Sequence, residues 1–160
     1  MRTFSKISPK LWRSPRFRSL ESGDARLLYL YVLTCEHQSS AGCFRLPGAY
    51  AASDLGWTEG RLSEAREALT KAALLVHDAG TDEYFVPRWF KHNPACNAKH
   101  KQGIERLISE LDSDHVREAA ESEYADSLGG PLSAEAHPFD KPNGMGAHLT
   151  NTSFFNGRRA

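Results

Sequence analysis

Three side chains of metal-binding type, His92, Cys96 and His100, recur at every fourth position. On one continuous helix that spacing would set all three on one face, as a zinc site requires. Pro94 falls inside the span and breaks the helical register, and no fourth ligand is at hand. His37 and His77 stand alone. The chain has no Walker A run, no G-x-S-x-G and no H-E-x-x-H. Cys35 lies in an apolar helical stretch, where a thiol behaves as a small buried hydrophobe. Trp57, Trp89 and Phe90 have ring faces on which unpaired bases stack, but core-forming segments flank them and favour packing. The expectation is a non-enzymatic protein with neither cofactor nor metal.

Charge is the more informative chemistry. Lys and Arg total 20 and Asp and Glu total 20, so the net charge is zero. The signs are segregated along the chain. Residues 1–20 carry Arg2, Lys6, Lys10, Arg13, Arg16 and Arg18 without an acid. Residues 88–101 add Arg88, Lys91, Lys99 and Lys101, again without an acid. Residues 110–128 then hold Glu110, Asp112, Asp114, Glu118, Glu121, Glu123 and Asp126 against Arg117 alone. This polarity suits a basic surface for phosphates and an acidic appendage, although a solvated charge run has the same pattern.

The three cysteines, Cys35, Cys43 and Cys96, are odd in number and include no C-x-x-C pair, which fits a reducing compartment. The basic N-terminus has no apolar h-region behind it. The longest apolar run, Leu27 to Leu33, is too short for a bilayer. A cytoplasmic, nucleoid-associated protein with no membrane partner is expected, and the Asn151-Thr152-Ser153 sequon then carries no meaning.

These residues need elements to position them. Pro9 and Pro15 interrupt the basic stretch, which reads as an arm with a short helical turn and two apolar anchors, Trp12 and Phe17. Ser22-Gly23-Asp24 opens a helix running to about His37. A short β-prone stretch, residues 43–46, precedes a second helix from Pro47 to Leu55, which Gly56 terminates. Thr58 caps a third helix whose stripe is Leu62, Ala65, Leu69, Ala72 and Ala73. Residues 74–77 and 84–86 predict strands joined by a turn containing Gly80 and Asp82. Pro87 leaves the last strand paired on one side only at that point. A helix from Ala98 to Leu111 follows, with another through the acidic run to about Ala125.

The order (helix, strand, helix, tight turn, helix, hairpin) is that of a winged helix-turn-helix. The fold class expected is mainly α with a small β-hairpin. Its parts are a basic arm (1–21), a winged helix-turn-helix domain (22–92), a helical extension (93–128) and a disordered, flexible tail (129–160).

The blocks "KISPKLW", "ARLLYLYVLT", "GCFRLPGAYAASDLGW" and "VPRWFKHNPACNAKHKQGI" resemble the N-terminal domains of phage and prophage replication-type winged-helix proteins, over roughly residues 5–110. The resemblance implies double-stranded DNA binding, often at a replication origin, with a C-terminal region that recruits a helicase or its loader. This chain departs from fuller members in lacking a second folded domain, which leaves room for a shorter transcriptional regulator.

In such a fold the helix after the turn enters the major groove by its N-terminal half. Its outer face here would be Gly60, Ser63, Glu64, Glu67, Thr70 and Lys71, flanked by Arg61 and Arg66. Thr58, Arg61, Ser63 and Arg66 are its candidate contacts, but Glu64 and Glu67 would be repelled by phosphate. The DNA backbone is therefore assigned to the arm (Lys6, Lys10, Arg13, Arg16, Arg18) and the segment after the hairpin (Arg88, Lys91, Lys99, Lys101). The competing expectation has the arm packed across the domain through Trp12 and Phe17 with its charges merely solvated. A protein-interaction module is the other alternative, with the acidic segment supporting a homodimer or masking the basic surface.

Overall fold

The computed structural model describes residues 5–129. It is mainly helical with a small three-stranded antiparallel sheet. A 3-10 turn, Pro9–Arg13, leads to the single helical turn α1, Pro15–Arg18. Then come α2 (Gly23–Thr34), β1 (Cys43–Arg45), α3 (Gly48–Leu55) and α4 (Glu59–Lys71). The strands β2 (Val76–Asp78) and β3 (Glu83–Phe85) form the hairpin. The short α5 (Trp89–His92), α6 (Ala98–Ser109) and α7 (Asp114–Gly129) complete the described chain. From residue 130 the expected tail lies outside the described residues.

Local signals set most helix starts. Ser22 Oγ accepts the amides of Asp24 and Ala25 at 3.1 and 3.3 Å, and Thr58 Oγ1 accepts that of Arg61 at 3.4 Å. Gly56 ends α3 in the left-handed region, φ 66°, and the Trp57 amide closes onto the Ala52 carbonyl at 2.8 Å. Pro47 is the cap of α3, so the helix proper starts one residue later than expected.

Two boundaries moved for tertiary reasons. Helix α2 stops at Thr34, short of His37, because Cys35 turns extended and the buried Gln38 donates to the Val32 carbonyl at 2.8 Å. One terminal carbonyl thus finds a partner that does not prolong the helix. Leu74 and Leu75 are not strand. Ala73 takes φ 52°, the Leu74 amide returns to the Leu69 carbonyl at 3.0 Å, and both leucines enter the core before β2 begins.

Strand β3 is central, with β1 and β2 on its two sides. It ends two residues before Pro87, so the missing proline donor falls beyond the ladder. Phe44, Tyr84 and His77 are register partners and make one row of rings, 5.5 and 4.4 Å apart. Phe85 packs toward Phe90, and Phe90 toward Tyr124 of α7, at 6.4 and 5.0 Å. All three residues of β3 are buried, which explains why no alternation marks it. Glu83, the first of them, is an acid whose burial is compensated. Its carboxylate accepts the amides of Asp112 and Ser113 at 3.0 and 2.7 Å, at the start of α7.

One buried cluster runs from Phe17 and Leu20 through α2, α4 and the sheet to Ile104, Ile108, Val116 and Tyr124. The arm and the helical extension therefore contribute to the same core as the central elements.

Candidate nucleic-acid interface

The face of α4 is as its spacing predicts. Leu62, Ala65 and Leu69 are buried, while Gly60, Ser63, Glu64, Glu67, Thr70 and Lys71 are exposed. Its candidate contacts, however, are mostly engaged by other groups of the same chain. Thr58 is spent as the helix cap. Arg61 makes a two-pronged ion pair with Asp24 of α2, both distances 2.6 Å, and lies 4.7 Å over the Trp57 ring. The guanidinium holds the Asp24 carboxyl below its ordinary range through that hydrogen bond. Arg66 is half-buried and turned toward the sheet, its guanidinium carbon 5.5 Å from the Tyr84 ring centroid. Lys71 is paired with Glu67 at 2.7 Å. Ser63 remains as an open polar group between acids.

The arm does pack. Phe17 is buried and Trp12 meets it edge-on at 5.5 Å, yet Trp12 itself remains exposed. Arg16 donates to the Ala73 carbonyl at 2.7 Å, tying the arm to the C-terminal end of α4. The packing expectation thus holds for Phe17 and not for Trp12. It leaves Lys10, Arg13 and Arg18 on the surface, and Lys6 is exposed in the extended segment before them.

After the hairpin, Arg88 adopts φ 68°, a conformation that strains a residue with a Cβ. Glu123 of α7 holds it there, accepting the Arg88 amide at 2.5 Å and the Phe90 amide at 3.2 Å. One acid of the appendage therefore anchors the backbone of the basic segment. Gly42, at φ 72°, lets the Trp89 indole lie against the backbone, and Trp89 Nε1 donates to the Ser40 carbonyl at 2.9 Å.

Two rings feel charges from both basic segments. Burial lowers the His92 imidazole; the charges of Arg88 and Lys91 lower it further, Glu123 opposes them, and Lys10 from the arm adds to the depression. Burial raises the Tyr29 phenol, while Arg16 of the arm and Arg88 pull it the other way. Lys10 therefore acts on the same imidazole as Arg88 and Lys91, and Arg16 on the same phenol as Arg88. Lys99 and Lys101 are exposed at the start of α6, which Asn97 caps by accepting the His100 amide at 2.8 Å. Among the described residues, Lys10, Arg13, Arg18, Arg88, Lys91, Lys99 and Lys101 make no ion pair.

Arg26 belongs to this surface and carried no sequence signal beyond its charge. Its Nη2 donates to the Arg18 carbonyl at 3.3 Å. With Trp12, Phe17 and Arg18 it lines an open cleft of about 380 Å³.

The metal-type triplet does not assemble. Cys96 and His100 touch, Sγ to Nδ1 at 3.2 Å, as a local contact across the start of α6, and His92 belongs to the separate α5. Among the described residues no three such side chains gather. No helix of the described residues is long and apolar enough to cross a membrane.

No protein-family model matches the chain, and no curated protein or solved structure does either.

Proposed function

We propose that the protein binds double-stranded DNA as a winged helix-turn-helix protein, with β2 and β3 as the wing, and that it acts in phage or prophage DNA replication, in origin binding or replisome organisation. The observation that carries the DNA-binding reading is the set of exposed cations on the arm and after the hairpin that make no ion pair among the described residues, charges from both segments acting on His92 and Tyr29. Unpaired, exposed cations release condensed counterions when phosphates replace water around them. The α3–turn–α4 arrangement with a hairpin after it supports the fold reading. The blocks that resemble phage replication proteins supply the biological setting, and with it a helicase or helicase loader as partner. Because α4 is acidic outside, Arg61 is held in a surface ion pair with Asp24 and Arg66 turns toward the sheet, base reading there is limited and the backbone supplies most of the affinity.

A second reading rests on that same α4 face. Glu64 and Glu67, exposed on a helix next to the turn, suit a basic protein partner. Fluorescence anisotropy of the purified chain with random duplex at several salt concentrations separates the two. Affinity falling steeply with salt supports DNA binding, at a slope of roughly −0.9 per phosphate neutralised. Absence of binding at low salt overturns it in favour of the protein-interaction module.

A further inference from the structure

We propose that Trp12, Arg18 and Arg26 form a binding site for an unpaired nucleotide, with the base stacked on the indole and its phosphate on the two guanidinium groups. The inference rests on the nucleic-acid reading above and adds to it a single-stranded ligand and a place for it.

Trp12 is 62% exposed, the most exposed large hydrophobic side chain of the described residues. Aromatic residues of this size usually bury most of their surface. The ring nevertheless has one fixed neighbour. It stands edge-on to Phe17 at 5.5 Å with an interplanar angle of 81°, and Phe17 is only 2% exposed. An open ring face braced on one edge by a buried neighbour is what base stacking needs.

The surroundings select the ligand. The cleft beside the ring is lined by Trp12, Phe17, Arg18 and Arg26, and no acid lines it among the described residues. Its volume, about 380 Å³, is that of a small-molecule site. Arg26 is steadied by its bond to the Arg18 carbonyl, while its Nε is buried with no hydrogen-bond partner among the described residues. A phosphate would meet the guanidinium edges of Arg18 and Arg26 that line the cleft, whereas an apolar ligand would leave those donors without a partner. Lys10 and Arg13 share the 3-10 turn with Trp12 and continue the positive track along the arm. A base inside a duplex is stacked on both faces, so this ring reaches only a base that is unpaired.

Labelled oligothymidylate and a duplex of equal length, titrated with wild type, Trp12→Ala, Trp12→Phe and Arg18→Ala, test the site. Trp12 is outside the core, so its variants keep the fold. Trp12→Ala is expected to weaken oligothymidylate binding about tenfold or more and leave duplex binding unchanged, with Trp12→Phe recovering most of the loss. Arg18→Ala should lower the single-strand salt slope by about 0.7. Tryptophan emission of the wild type should be quenched by the oligonucleotide and that of Trp12→Phe much less. Duplex binding without oligothymidylate binding, or equal effects of Trp12→Ala on both, overturns the site while leaving the duplex reading intact. Binding of neither overturns both. Buried-type Trp12 emission in the free protein, unchanged by oligonucleotide, would mean that another segment or a second copy covers the ring, and also overturns the site.

Discussion

Replacing Gly42 by alanine isolates the contact that seats the basic segment after the hairpin. At φ 72° an L side chain is strained by ~1–2 kcal/mol. A Cβ there would also lie 2.3 Å from Trp89 Cγ and 2.6 Å from Cδ2, inside the ring's own volume. The indole must move, repacking costs ~1–3 kcal/mol, and the Trp89–Ser40 bond at 2.9 Å is lost for ~1 kcal/mol more. The total is ~3–6 kcal/mol, a large part of the ~5–15 kcal/mol that holds a domain folded. Gly56 provides the control. Its φ is 66°, but nothing lies within 4 Å of the added methyl, so only the backbone strain of ~1–2 kcal/mol applies. Urea unfolding, extrapolated linearly, measures both variants. The predicted result is a Gly42→Ala loss at least ~2 kcal/mol larger than that of Gly56→Ala, accompanied by weaker DNA binding because Arg88 and Lys91 flank the displaced ring. Equal losses would refute the steric argument.

Acid should destabilise the fold through His77. Burial, helped by the charge of Arg66 and opposed by Asp82 and Asp78, lowers its imidazole from 6.5 to about 4. Between those values the unfolded chain binds more protons than the folded one, so stability is intact above pH ~6.5 and falls as pH drops toward ~4. The loss is ~2 kcal/mol after allowing for partial exposure of the ring, and His77→Gln should remove this component in a pH series of urea melts. Asp24→Asn releases Arg61 from its ion pair and deletes an acid at the N-terminus of α2. DNA affinity by anisotropy should rise, and a fall would show that the pair positions the interface instead of withholding a cation from it.

What the sequence made legible was local. Ser22, Thr58 and Gly56 act within a few residues of their own positions, so their roles could be read from residue type and spacing alone. The burial stripe of α4 followed for the same reason. The misplaced boundaries arose where a distant or irregular partner intervened: Gln38 on the Val32 carbonyl of α2, and the left-handed Ala73 ahead of β2. Composition could place cations on the arm and after the hairpin. It could not show that Arg61 answers Asp24 across 37 positions, that Glu83 caps α7, or that Glu123 holds the strained Arg88. Such pairings depend on topology, and many other acids of the chain would have satisfied the pattern equally well. Trp12 was legible as an anchor, whereas its open face emerges only once Phe17 takes the buried place.

The central claim is that DNA is held by the arm and post-hairpin cations and that α4 contributes little. Salt-dependent duplex binding of Lys10→Ala/Lys91→Ala, measured beside Ser63→Ala, tests it most directly. The account predicts that the double variant flattens the slope of log K against log salt by about 1.8, two phosphate contacts' worth, while Ser63→Ala leaves the slope unchanged. An unchanged slope in the double variant, with affinity lost in Ser63→Ala, would contradict the account and return the interface to α4.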